Sequence, residues 1–220
     1  MLMLKRSSYM ISELMIPKER LICLSENDHC EHALQIMEDH HLRSAPILDT
    51  SGRLYRGNLY RYHIYRYFFQ HPHENPRDVG VTRFLKNTSR VVRISDSLTK
   101  LLFHLRDLPY IAVLDDDSAF EGVVEHQTML NFLSQGLNMP TAGYTLIVHA
   151  PIERRAIQRI LKIVTKYSIV SAMTTINETS YTKEPYLCFV LPTQLDQAKL
   201  NGLIHHLTKR KYTAYYYKLF

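Results

Sequence analysis

Two stretches of the chain carry one pattern of apolar and polar positions. The first reads ISELMIPKERLICLS from Ile11, and the second reads VTRFLKNTSRVVRIS from Val81. At a shift of 70, Ile11 meets Val81, Leu14 meets Phe84, Arg20 meets Arg90, Leu21 meets Val91, Leu24 meets Ile94 and Ser25 meets Ser95. Further on the shift is 66, where Ile47-Leu48-Asp49 meets Val113-Leu114-Asp115, and then 65, where Gly57 meets Gly122. The four residues lost between shifts of 70 and 66 are about one helical turn, so the second copy has the shorter helix. Such a repeat marks two copies of one supersecondary unit.

Each copy predicts the order β-α-β-β-α. A short strand (Leu21–Leu24, then Val91–Ile94) comes first. Ser25 or Ser95 follows where an N-cap belongs, with Asp28 as a box-like partner in the first copy. Cys30, Ala33, Leu34 and Met37, or Leu98, Leu101, Leu102 and Leu105, recur at the i, i+3, i+4, i+7 spacing of a helix. APILD-TSG-RLYRGNL and IAVLD-DDS-AFEGVV then read as strand, turn and strand. Last helices are predicted from about Tyr60 to Gln70 and from about Glu125 to Gln135. HPHENPRDVG, His71–Gly80, has two prolines and no apolar period, and reads as the linker between copies.

QGLNMPTAG ends the second copy. Beyond it GYTLIVHA is a β-run and Pro151 fits a first helical position. Ile157, Ile160, Leu161 and Val164 make one helix face. IVSAMTTI is a strand, a loop ends at Pro185, and YLCFVLP is a strand. Thr193 and Asp196 resemble a capping box for the helix carrying Leu200, Leu203, Ile204 and Leu207. YTAYYYKLF closes the chain as an aromatic strand. This β-α-β-β-α-β order is the split βαβ, or ferredoxin-like, arrangement. The fold class is therefore α/β (α+β), two β-α-β-β-α repeats followed by a ferredoxin-like unit.

Composition adds bounds. The chain has 220 residues, 45% hydrophobic and 22% charged, which is ordinary globular usage. No apolar run reaches the roughly 18 residues of a membrane span, and the start lacks a secretory h-region. Cys23, Cys30 and Cys188 are odd in number and form no CxxC, so free thiols in a reducing cytoplasm are expected. The net charge of +6 is unevenly placed. Residues 1–139 hold 16 Lys/Arg against 17 Asp/Glu, and residues 140–220 hold 11 against 4. These late cations are spread along two helix patterns and read as a solvated face, so nucleic acid is not an expected partner.

Catalytic signatures are lacking. G-x-S-x-G, H-E-x-x-H, Walker A and G-x-G-x-x-G do not occur. His40-His41 and His205-His206 are adjacent pairs, which point about 100° apart on a helix. His71 and His73 have no third ligand at a plausible spacing. No enzyme, catalytic residue, metal or bound cofactor is expected. In RLYRGNLYRYHIYRYFF, five tyrosines are interleaved with four arginines. Such residues stack purines and bind phosphate, or pack a dimer surface.

The segment from Ile11 to Ile16, the helix EHALQIM, the strand SAPILD, and Gly57 and Gly122, read as turns back into the core, resemble a pair of CBS domains. The element order beyond residue 142 resembles an ACT domain. The resemblance places CBS domain 1 at 8–70, the linker at 71–80, CBS domain 2 at 81–136 and the ACT-like domain at 142–220. The three-domain order is similar to bacterial CBS–ACT proteins, including an acetoin-utilisation group and a group that binds cyclic di-AMP. The first half is most similar to the latter.

This resemblance implies a homodimeric, non-enzymatic regulatory protein that senses an adenine nucleotide, with an unknown target protein. Cyclic di-AMP leads over AMP, ADP or ATP, and a structural module with a degenerate pocket is the alternative. The family's ligand-contacting G-h-h-T-x-x-D pattern has Tyr60 and Glu125 where Thr is usual, and His63 and Thr128 where Asp is usual, and the resemblance implies ligand contacts from Tyr60, His63 and Thr128. The cyclic-di-AMP group implies contacts from Arg20, Ile22, Arg43, Ser44, Ala45, His126 and Gln127. The repeat adds Arg90, Val92 and Tyr110. The ACT-like loop His149-Ala150-Pro151-Ile152-Glu153 carries no glycine, and amino-acid binding there is not expected.

Overall fold

The computed structural model describes residues 10–178 and 184–218. Residues 8–9 of the expected first CBS domain, part of the loop before Pro185, and Leu219-Phe220 of the expected last strand lie outside them. The chain forms two compact units, residues 1–129 and 130–220.

The first unit contains both repeats. The first repeat has β2 (Leu24–Ser25), α1 (Cys30–Asp39), β3 (Ser44–Leu48), β4 (Tyr55–Tyr60) and α2 (Arg61–Gln70). The second has β5 (Val91–Arg93), α3 (Leu98–Leu105), β6 (Tyr110–Leu114), β7 (Phe120–Glu125) and α4 (His126–Gly136), the last helix running on into residues of the second unit. In each, the first strand pairs parallel and the third antiparallel with the central strand. The core of the first repeat sets Cys30, Ala33 and Met37 of α1 against Ile47, Leu59 and Ile64, the face that the i, i+3, i+7 spacing predicts.

The two repeats exchange their lead-in segments. β1 (Ile16–Pro17) precedes the first repeat, yet it pairs with β7 of the second. Lys86, before the second repeat, bridges Asn58 of β4, with reciprocal N–H···O bonds of 2.8 and 2.9 Å. This exchange explains the two repeat-related glycines. A Cβ on Gly122 would lie 2.2 Å from the Ile16 carbonyl oxygen, and one on Gly57 would lie 2.9 Å from that of Lys86. Gly57 also has φ +149°. Both stand inside strands where the other repeat's backbone crosses, and are not the turns expected. The turns are made by aspartates instead. Asp49 Oδ1 accepts from the Leu54 and Arg53 N–H groups at 2.7 and 2.8 Å. Asp115 Oδ1 accepts from Ala119 N–H at 2.7 Å.

Several capping expectations are corrected. Ser25 and Ser95 are not N-caps. The helices begin later, after His29 and Ser97, and only Ser97 caps with its side chain, accepting from Lys100 N–H at 3.2 Å. Asp28 accepts instead from Ser25 N–H at 2.8 Å, closing a turn. The start of α1 is satisfied by residues 71–80: Cys30 N–H donates to Val79 O at 2.9 Å, and Glu31 N–H to Pro76 O at 3.2 Å. That is how a helix lacking a capping side chain meets its orphan donors. The first strand is also shorter than Leu21–Leu24, starting at Leu24.

The second unit is β8 (Ala142–His149), α5 (Arg154–Val164), β9 (Ala172–Ile176), β10 (Tyr186–Pro192), α6 (Gln197–Lys209) and β11 (Thr213–Lys218). Its sheet runs β11-β8-β10-β9, wholly antiparallel, which is the ferredoxin-like order. Leu146, Val148, Leu187, Phe189 and Leu191 meet Ile160, Val164, Leu200, Leu203 and Leu207 in one core. Pro151 precedes α5, whose N-cap is Glu153, and is not its first residue. The N-cap of α6 is Asp196, without a side-chain cap bond, so Thr193 is not its cap. No described helix is long and apolar enough to cross a membrane, and Cys23, Cys30 and Cys188 are free.

Candidate functional site

Where the two repeats meet, a cavity of about 210 Å³ is lined from both. The first repeat supplies Leu21 and Ile22 before β2, then Leu42, Arg43, Ser44 and Pro46 along the start of β3. The second supplies Pro109, Tyr110, Val123 and Glu125. Strand alternation produces this lining. Ser44 and Pro46 face the cavity, while Ala45 between them is buried in the first repeat's core. Of the residues expected at a ligand site, Ile22, Arg43, Ser44 and Tyr110 are thus brought together.

The polar groups of this cavity are few. Arg43 and Glu125 are exposed at its wall. Tyr110 is 8% exposed, and its phenol oxygen has no hydrogen-bond partner among the described residues. The Ser44 hydroxyl faces that oxygen but does not meet hydrogen-bond geometry. Burial, reinforced by the neighbouring Tyr55 and Tyr60, holds the Tyr110 phenol well above its ordinary pKa. Burial pushes the nearby Cys23 thiol up to about 11 against the pull of Lys18. Both groups are neutral across the physiological range.

The repeat-related position is differently built. The shift of 65 places Asn58 and Tyr60 where the cavity has Val123 and Glu125. Asn58 is 1% exposed and accepts from the Tyr55 hydroxyl at 2.6 Å. Tyr60 accepts from Asn87 at 2.8 Å. Tyr55 stacks on Phe120 with ring centroids 5.8 Å apart. Here the protein's own side chains satisfy one another. His63 lies edge-on to Tyr60, and partial burial with the charges of Lys86 and Arg66 holds its pKa below the usual histidine range.

The remaining expected residues stand outside the cavity lining. Arg20 and Arg90 are exposed, and Val92 is buried. His126 has Nδ1 3.3 Å from Leu108 O. Gln127 is exposed and Thr128 half-buried on the first turn of α4. The tyrosine- and arginine-rich segment is largely satisfied internally. Arg56 pairs with Glu26 at 2.8 Å, Arg61 with Glu38 at 2.9 Å, and Tyr67 donates to Glu74 at 2.6 Å. Tyr62 and Phe69 of α2 remain 65% and 89% exposed. Pro46 and Val123 are cavity residues that sequence reasoning missed, and Glu125 is one it named only as standing where the family's Thr is usual. They occupy the same register as residues it found, two positions on from Ser44 and on the strand opposite Tyr110.

Comparison with known proteins bears on the fold. Residues 11–70 match the sequence model of the CBS domain. No curated protein matches the chain. Among solved structures, CbpB of Streptococcus agalactiae is similar at 14% identity and a TM-score of 0.52, over 61% of this chain and 87% of that one. CbpB of Listeria monocytogenes, solved in complex with c-di-AMP, is similar at 20% identity and a TM-score of 0.51, over 58% and 97%. A CBS domain-containing protein of unknown function from Bacillus anthracis is similar at 22% identity and a TM-score of 0.50, over 57% and 92%. These likenesses establish the fold of tandem CBS domains.

Proposed function

We propose that the chain is a non-enzymatic regulatory protein that senses an adenine nucleotide, cyclic di-AMP foremost, in the cavity between its two CBS repeats. The observation that carries this reading is the cavity itself. Apolar walls from Ile22, Pro46 and Val123 suit the faces of a purine, and the unpartnered Tyr110 hydroxyl with Ser44 offers hydrogen bonds to its edge. Arg43 at the wall takes the phosphate through a charge-assisted bond, and Glu125 accepts from ribose hydroxyls. The similarity to a CbpB solved with c-di-AMP supports the choice of ligand. At about 210 Å³ the cavity is smaller than the roughly 300–1,000 Å³ of sites that enclose a whole drug-sized ligand. It therefore holds one nucleobase, and a dinucleotide leaves its second base outside.

The exposed aromatics Tyr62 and Phe69 on α2 supply the surface for the homodimer in this reading. Ligand shifts such an assembly only by binding one of its states better than another. Calorimetry and thermal shift on nucleotide-free protein, with cyclic di-AMP, AMP, ADP and ATP, test the proposal. Binding is expected, and Arg43→Ala should weaken it about tenfold to a hundredfold, the worth of a charge-assisted bond. Arg20→Ala, outside the cavity lining, should have the smaller effect. Absence of heat and of thermal shift with every nucleotide at about 1 mM, a level that detects even millimolar binders, would overturn it.

A further inference from the structure

A second cavity, of about 360 Å³, lies in the ferredoxin-like unit against α5 and α6. Arg159 and Lys162 of α5, Lys166 just beyond that helix, and Arg210 at the end of α6 all line it. His206 and Tyr212 complete the wall, and the buried Ile163 lines it with them. The helix period explains the gathering. Arg159, Lys162 and Lys166 recur at i, i+3, i+7, on the side away from the buried Ala156, Ile160 and Val164. His206 and Arg210 stand at i, i+4.

Four permanent cations thus line one concavity. Among the described residues none of the four enters an ion pair, and no carboxylate lines the cavity. Like charges gathered without a counter-charge repel, and a positive cleft raises the local concentration of anions. The volume falls within the range of small-molecule sites. The four cations are exposed and converge from the two helices and their ends on one open concavity, where a nucleic acid needs an extended track.

We infer that this cavity binds a small, soluble, diphosphate-bearing molecule. Arginines fork onto phosphoryl oxygens, lysines add point charges, and the Tyr212 ring is a flat wall for the group that the diphosphate carries.

Calorimetry on the full chain with inorganic pyrophosphate, at about physiological salt so that weak surface attraction is screened, tests the inference. Saturable one-site binding is expected, at least about tenfold tighter than for orthophosphate. The Arg159→Ala/Lys162→Ala variant should lose about tenfold or more in affinity. Arg210→Gln, on the other helix, should lose about threefold or more, and circular dichroism should show both variants folded. Arg43→Ala, in the CBS cavity, should leave pyrophosphate binding unchanged while it weakens nucleotide binding. The inference is overturned by absence of heat, by unchanged affinity in the folded variants, or by loss of binding on Arg43→Ala. It is equally overturned if single-stranded RNA or phosphatidylserine vesicles bind these residues and pyrophosphate does not displace them.

Discussion

Tyr110 carries opposite consequences for stability and for binding. A buried hydroxyl with no partner costs about 1–3 kcal/mol of desolvation, and its oxygen has none among the described residues. Tyr110→Phe removes the polar atom and keeps the ring that packs with Leu48, Ala112, Phe120 and Val123. The ligand-free variant is therefore expected to melt several degrees higher. If the hydroxyl serves the base edge, the same change weakens nucleotide binding about threefold to tenfold. Differential scanning calorimetry and titration on one preparation read both signs. A variant that melts lower would show that the phenol oxygen is satisfied in solution and is not held in reserve for ligand. The repeat alignment pointed to Tyr110 through Ser44, but the absence of a partner could not be read from it, because satisfaction depends on neighbours far away in sequence.

At the scale of elements, the helices and the central strands were legible because their periods are local. Cys30, Ala33 and Met37 face inward as their spacing requires, and SAPIL and YIAVL form the central strands. The exchange of lead-in segments was not legible as such. It depends on β1 pairing with a strand more than a hundred positions later, and a two-residue strand has no period of its own. Its trace was the pair Gly57 and Gly122, whose equivalence was visible and whose cause was not. Ser25 failed for a related reason, since the linker's carbonyls take the first N–H groups of α1, and Ser95 failed because Ser97, two residues on, caps α3. The glycine argument makes a sharp comparison. Gly122→Ala places a Cβ against the Ile16 backbone, which cannot yield as a side chain can. Overpacking of this kind costs about 1–3 kcal/mol, sometimes more. Gly136→Ala meets no atom within 4 Å, and in a helix alanine is favoured over glycine by up to about 1 kcal/mol. Urea unfolding should therefore show Gly122→Ala destabilised and Gly136→Ala neutral or stabilised. Equal stability for the two would remove the backbone crossing as the reason for the glycine.

For the whole molecule, charge and structure divide the chain in nearly the same place. The near-neutral stretch 1–139 covers the CBS repeats, and the basic excess lies in 140–220, within the ferredoxin-like unit. Each unit has its own apolar core, so each has the burial that independent folding requires. A cut between 139 and 142 leaves α4 whole, since that helix ends at Gly136 and β8 starts at Ala142. Residues 1–139 and 142–220 are therefore expected to express separately as folded pieces, each with a single cooperative melting transition. The first piece should keep the full chain's nucleotide affinity, since every residue lining the CBS cavity lies within it. It should also scatter light at about twice its chain mass if the α2 aromatics make the dimer. The second should keep pyrophosphate binding, since its cavity is likewise self-contained. A first piece that is folded but binds no nucleotide bound by the full chain would mean that the second unit completes the site.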